Sequence, residues 1–442
     1  MNLFVRATAR GAVAALASAT LLLGTLAEAR AQAVPVTVGK AADAKWQLLR
    51  GGKPYFIQGA GGTNNLDQLK AAGGNSVRTW GAERAERDLT EAGKRGLTVT
   101  LGIWLGHPEH GFKYDDPKQV ADQTASAEAM ARKYKDHPAL LVWGLGNEME
   151  MSTGGKDDAV WRAVEQTARA IKRIDPSHPV MTVIAEIGED GIKAKKVAQL
   201  CPSVDILGVN SYGGLSSLPE RLKKAGWTKP YVVTEFGPNG PWEVGKTAWG
   251  AALEPNSTEK AKLYADRYAA GIAAQKGWCL GSYAFLWGDK VEGTPTWFGM
   301  FLPGTGEKLG PVDAIAAAWS GKPAANPAPR LTTFASSVSG KEVAPGSAQT
   351  VTCTAEGAPG ASLTYRYEIR PDMEGPSRPE PGQVAPEALT GHVPDAPAAG
   401  ESKFTAPTKP GAYRLYVYVR DGKGGAATAN APFKVTGNVA AK

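Results

Sequence analysis

The chain has 442 residues, 43% hydrophobic and 21% charged, with a formal charge of +7. That length exceeds one ordinary core and predicts a large domain with a smaller companion, and the balance excludes a disordered or fibrous chain. The basic residues are scattered, so no nucleic-acid footprint emerges; the densest clusters, Lys193-Ala194-Lys195-Lys196 and Arg221-Leu222-Lys223-Lys224, read as solvated helix faces. The odd, sparse set of three cysteines argues against a disulfide scaffold.

Residues 1–33 open with Arg6 and Arg10, continue through the apolar run Ala12 to Ala27 and end in the small-x-small sites Ala29-Arg30-Ala31 and Ala31-Gln32-Ala33. This pattern predicts a cleaved signal peptide and an exported protein, periplasmic or secreted. The run is shorter than the roughly 20 residues that span a bilayer, and no later segment qualifies, so no membrane span is expected. Next, Trp46 to Tyr55 reads as a hairpin with a Gly51-Gly52 turn, placed to cap the bottom of the large domain.

From Tyr55 to about Ser320, short apolar runs alternate with longer amphipathic ones. The predicted strands are Tyr55–Gly59, Ser76–Trp80, Thr98–Trp104, Ala139–Gly144, Val180–Ile184, Val204–Val209, Tyr231–Thr234 and Gly281–Leu286. Predicted helices include Asn65–Ala72, Glu83–Lys94, Lys118–Lys135, Ala159–Ile174 and Thr258–Lys276. Eight such alternations predict a (β/α)₈ barrel over residues 34–320, hairpin included. Residues 321–330, rich in Pro and small residues, read as a linker. Residues 331–442 carry short alternating strands, clearest at Tyr413 to Arg420, and predict an immunoglobulin-like sandwich in which Pro371 to Pro397 is a long loop.

In such a barrel, chemistry sits where the strands end at their C-terminal side. Two glutamates lie there, 87 positions apart: Glu148 after the fourth strand, in Leu145-Gly146-Asn147-Glu148, and Glu235 at the end of the seventh, in Val232-Val233-Thr234-Glu235. Paired carboxyls across a barrel mouth suit cleavage of a glycosidic bond with retention, one as acid and one as nucleophile, about 5 to 5.5 Å apart. The bland alternative is two surface or salt-bridged glutamates. With five histidines and no His-x-x-x-His or paired-Cys spacing, neither a metal nor another cofactor is expected.

At these residues the chain resembles the clan A retaining glycoside hydrolases, which carry Asn-Glu after strand four and Glu at the end of strand seven. The segments Lys53 to Gly62, Gly74 to Trp80 and Asp175 to Val180 are most similar to the barrel of glycoside hydrolase family 2 and its relatives. The domains that usually precede that barrel have no counterpart in the stretch between the leader and the first strand. The resemblance implies Glu148 as acid/base and Glu235 as nucleophile. It also implies Arg78 and Tyr212 as hydrogen-bond donors to the nucleophile, Asn147 at the sugar 2-hydroxyl and Trp287 as the aromatic floor of the cleaved sugar's subsite. Trp80, Trp104, Trp242 and Trp297 are candidates for flanking subsites, with core packing as the alternative. His107 is a candidate for binding a hydroxyl or ordering its loop, as is His110; Asn210 is a weaker candidate. The expected substrate is a β-linked glucan or related oligosaccharide or polysaccharide. A transglycosylase using the same site and a non-catalytic carbohydrate-binding or adhesion protein are the rival readings, and the sequence leaves oligomeric state open.

Overall fold

The structure, a computed structural model, describes residues 33–373, 384–395 and 397–437. The expected signal peptide therefore lies outside the described residues but for its last position, as does part of the expected Pro-rich loop.

Eight parallel strands close on themselves: β4 Ile57–Gly61, β5 Ser76–Arg78, β6 Thr98–Ile103, β7 Leu140–Leu145, β8 Val180–Ile184, β9 Ile206–Asn210, β10 Tyr231–Phe236 and β11 Cys279–Ala284, with β11 pairing back onto β4. The strands are read from sequence so directly because they are buried on both faces and hence are continuous apolar runs. Between them run α1 Leu66–Ala71, α2 Ala85–Lys94, α3 Pro117–Tyr134, α4 Asp158–Ile174, α5 Ile192–Leu200, α6 Leu218–Lys224 and α7 Ser257–Gly271, and α8 Gly310–Ser320 follows β11. Local chemistry sets several helix starts. Asp116 accepts from the Lys118 and Gln119 N–H groups with Pro117 next in line, and Asn256 and Glu259 form a reciprocal capping box. Among the described residues no helix is long and apolar enough to cross a membrane.

The barrel's N-terminal end is plugged. Strands β1 Val36–Lys40, β2 Trp46–Arg50 and β3 Lys53–Tyr55 form an antiparallel sheet whose Val36 and Leu48 pack on Ile57, Leu141, Met181, Ile206, Val232 and Leu280. The Val36 N–H donates to the Ser177 carbonyl (2.8 Å) and the Trp46 N–H to that of Gly277 (2.6 Å), tying the sheet to turns that precede β8 and β11. The N-terminal end of the barrel is thereby filled with apolar side chains.

Seven further strands form two sheets around their own apolar core: β12 Arg330–Ser336, β14 Ala348–Glu356 and β16 Gly400–Thr405 in one, β13 Glu342–Val343, β18 Ala426–Val435, β17 Gly411–Arg420 and β15 Thr364–Pro371 in the other. Against the barrel, this sandwich buries charge. Glu254, in the loop after β10, accepts from Lys260 Nζ (2.5 Å), Thr296 Oγ1 (2.9 Å) and Asn430 Nδ2 (2.6 Å), while Arg414 bridges Asn430 (2.7 Å), Asp372 (2.9 Å) and the Ala252 carbonyl (3.1 Å). Burial alone would raise the Glu254 carboxyl, but Lys260 beside it and the Thr294 hydroxyl outweigh that and hold it below the ordinary glutamate range.

Candidate active site

The β7–α4 connection is built to lift two side chains into the mouth. Gly146 turns at φ 64° and Glu148 at φ 59°, a left-handed conformation in which a non-glycine residue is held at a cost of about 1–3 kcal/mol. At that φ glycine is the favoured residue, and a Cβ at Gly146 would meet Met149 Sδ at 2.0 Å and displace it. The turn is pinned by the Gly146 N–H to the Ile103 carbonyl (2.8 Å) and by the Glu148 N–H to the Val183 carbonyl (3.0 Å), one on each neighbouring strand.

Glu235 lies within β10 and is 6% exposed. Its Oε1 accepts from Arg78 Nη1 at 2.8 Å and Trp80 Nε1 at 2.7 Å, and its Oε2 from Tyr212 Oη at 2.7 Å. Arg78, at the end of β5, also donates to Asn147 Oδ1 (2.7 Å) and to the Thr234 carbonyl (3.1 Å). Asn210, at the end of β9, gives one amide to both Glu148 Oε1 (2.8 Å) and Asn147 Oδ1 (3.1 Å), and is itself oriented by Thr234 Oγ1 (2.7 Å). One connected network thus joins strands β5, β7, β9 and β10.

The two carboxyls differ in surroundings. Glu235 faces a guanidinium, an indole N–H and a phenol; Glu148 receives one neutral amide. Burial first, and then the charge on Glu235, push the Glu148 carboxyl up to about 7. Burial and the same Glu235 charge keep the Tyr212 hydroxyl protonated well above its ordinary range, so it remains a donor. Behind Glu148, Glu150 is fully buried against Lys193 (2.8 Å), with the Ala185 N–H on the same oxygen (3.0 Å).

The structure thus brings together Glu148, Glu235, Arg78, Asn147, Tyr212 and Trp80. Trp80, expected as a stacking surface, turns its N–H to the nucleophile candidate. His107 packs flat against the indole of Trp104, with ring centroids 4.8 Å apart, stacks on His110 at 5.5 Å and has Nδ1 3.5 Å from Glu109 Oε1; burial lowers its basicity. It supports the Trp104 ring.

Three expectations need correcting. Trp287 is fully buried: its indole packs between Phe301 and Trp319 and donates to the Asn65 carbonyl (3.2 Å), leaving no face for a sugar. The ring that reaches the site from the end of β11 is Phe285, edge-on to Trp80 (5.8 Å) and Tyr212 (6.0 Å). Trp297, 1% exposed, donates to the Asn239 carbonyl (2.9 Å) and is likewise a packing residue. Lys193 is not on a solvated helix face but is 7% exposed, turned inward to Glu150. Asn210 and the Glu150–Lys193 pair are the parts that sequence reasoning undervalued; the carboxylate two residues beyond Glu148 was the available signal.

The model of the glycosyl hydrolases family 2, TIM barrel domain, matches residues 69–268. Among curated proteins, mannan endo-1,4-beta-mannosidase F of Aspergillus clavatus is 27% identical over 139 residues, 28% of this chain and 30% of that protein. Beta-glucuronidase of Homo sapiens is 25% identical over 238 residues, 46% of this chain and 34% of that protein. The chain therefore spans about a third of the length of these curated relatives. Of solved structures, the beta-D-glucuronidase of Dictyoglomus thermophilum superposes with a TM-score of 0.51 at 18% identity, covering 65% of this chain and 54% of that one, a likeness of fold. The barrel of this chain is similar to the TIM barrel domain of the family 2 glycosyl hydrolases.

Proposed function

We propose that the chain is an exported retaining β-glycosidase that hydrolyses a β-linked glucan or related oligosaccharide through a glycosyl-enzyme intermediate. The observation that carries this reading is the asymmetry of the carboxyl pair. Glu235 is held by three donors and is ready to attack, whereas Glu148, raised to about 7, retains a proton to give. The export element rests on the pattern of the first 33 residues.

In the first step a Glu235 oxygen forms a bond to the anomeric carbon as the bond to the leaving oxygen breaks, and Glu148 gives that oxygen its proton. With Glu235 now an uncharged ester, the repulsion that favoured protonated Glu148 is gone, and Glu148 takes a proton from water as the water oxygen attacks the same carbon. Tyr212 and Arg78 orient the attacking carboxylate. Asn147 commits its carbonyl oxygen to Arg78 and Asn210, reserving its NH₂ for the sugar 2-hydroxyl, a bond that strengthens as positive charge develops on the ring. The relatives named as beta-glucuronidase and endo-beta-mannosidase support a β-linked sugar substrate.

The test uses activated aryl β-glycosides. Glu235→Gln abolishes turnover. Glu148→Ala still forms the intermediate, because the leaving group of such a substrate needs little protonation, and azide restores the second step as a β-glycosyl azide. Parent-rate cleavage by either variant would show that the carboxyl assignment is wrong.

A further inference from the structure

Among the described residues, four large hydrophobic side chains are exposed: Trp104, Trp242, Leu253 and Val384. Singly exposed apolar residues need no explanation. Two of these, however, are indoles at the same barrel mouth. Trp104 follows β6 and Trp242 follows β10, and in the cyclic strand order those strands are four apart, on opposite sides of the barrel. Eight strands spaced about 4.8 Å and tilted about 36° give a mouth about 15 Å across, wider than one sugar ring.

Each indole is braced by neighbours and yet about half exposed. Trp104 lies parallel to His107, at an interplanar angle of 13°, and is 45% exposed. Trp242 lies against the main chain of Gly240, where a Cβ would come within 2.4 Å of its Cε2 and Cζ2 atoms, and is 48% exposed. Tyr212 stands perpendicular to it at 5.9 Å and Phe298 is tilted against it at 6.2 Å, and Tyr212 holds Glu235. A planar apolar ring that is braced by its neighbours and still about half exposed matches the apolar face of a pyranose, and holding it rigid in advance removes the entropy cost of ordering it on binding.

We propose that Trp104 and Trp242 are the stacking platforms of an open cleft that runs across the carboxyl pair and takes a β-linked chain of at least three consecutive sugars, cut within its length. The inference rests on the glycosidase reading and adds the mode of action. A single-sugar pocket has no use for two exposed, oppositely placed rings. An internal stretch of polysaccharide needs purchase on both sides of the bond being cleaved.

The probe is a ladder of β-1,3- and β-1,4-linked gluco- and manno-oligosaccharides of two to six units, with kcat/KM and early product sizes measured. The native chain is expected to gain about tenfold or more in kcat/KM up the ladder, about 1.4 kcal/mol or more, and to release internal fragments first. Trp104→Ala and Trp242→Ala each flatten that rise, and Gly240→Ala, which displaces the Trp242 ring without removing it, flattens it in part; circular dichroism checks that all three fold. Equal cleavage of two- and six-unit substrates, release of single end sugars only, or an undiminished rise in both tryptophan variants overturns the proposal. Failure of the glycosidase reading looks different: the native chain then cleaves no member of the ladder and no aryl β-glycoside, which sinks both.

Discussion

Two of the buried networks of charge are put together on opposite principles. At the contact of barrel and sandwich, the two central carboxylates each have a cation: Glu254 meets Lys260, and Asp372 meets Arg414. At the barrel mouth, Arg78 pairs with Glu235, and Glu148 faces that second carboxylate with a neutral Asn210 amide in direct contact. The first arrangement is a compensated buried network, where removing either partner strands a charge. The second is lopsided, and its imbalance stores a proton on Glu148. Structural networks minimise unpaired charge; a site for acid catalysis keeps one group uncomfortable.

The largest expected effect breaks the two networks in opposite ways. Lys260→Met leaves Glu254 buried without its cation and is expected to cost about 3–5 kcal/mol, seen as a large drop in Tm. Glu148→Gln is expected to lower kcat on unactivated substrates by about 10²–10⁴ while sparing the fold. The sign of its stability effect comes from the raised carboxyl. Protonated Glu148 favours the folded state fully below the ordinary value of 4.5, and that advantage is lost as pH rises through about 7. The variant should therefore match the parent at pH 5 and exceed it at pH 8, by at most about 3 kcal/mol and less where water screens the group. Denaturant melts at the two pH values decide it; a variant weaker at pH 8 would show that Glu148 is not strained.

Next in size, the alkaline limb of kcat/KM should fall near pH 7 as Glu148 loses its proton. In Glu235→Gln, whose neighbouring charge is gone, the Glu148 carboxyl should titrate lower, measured by carbon-detected NMR of labelled glutamate. An unchanged titration would remove the charge coupling from the account. The smallest shift belongs to Glu150→Gln. Loss of that negative charge leaves Lys193 to favour ionised Glu148, moving the alkaline limb to lower pH, by less than the Glu235 change because the Glu150 charge acts on Glu148 more weakly than the Glu235 charge. A limb displaced upward would reverse the sign of the argument.

Much of the barrel was legible because β-branched and apolar runs such as Leu140–Leu145 and Val180–Ile184 are buried on both faces and separated by amphipathic helices. The carboxyl pair was legible for a positional reason: both glutamates lie at the C-terminal ends of parallel strands, and those ends converge on one mouth. What escaped were features decided by three-dimensional neighbours. Trp287 and Phe285 are two positions apart and equally aromatic, and only the path of the chain out of β11 turns one toward the mouth and the other toward Trp319. Lys193 sits in a basic run that looks solvated until Glu150 is placed opposite it. Strand β16 comes after a Pro-rich stretch that masks its alternation, and Arg414 finds Ala252 across 162 positions, a pairing no local pattern announces.

The sheet that seals the barrel floor has a consequence for how the chain is made. Its strands come first, yet Trp46 bonds to Gly277 and β4 waits for β11, so the seam cannot close until residue 284 has emerged from the ribosome. Until then β4 keeps one edge open, and vectorial synthesis leaves a long interval in which that edge is a template for wrong pairing. A chain of this topology gains from being kept unfolded during synthesis and allowed to collapse all at once.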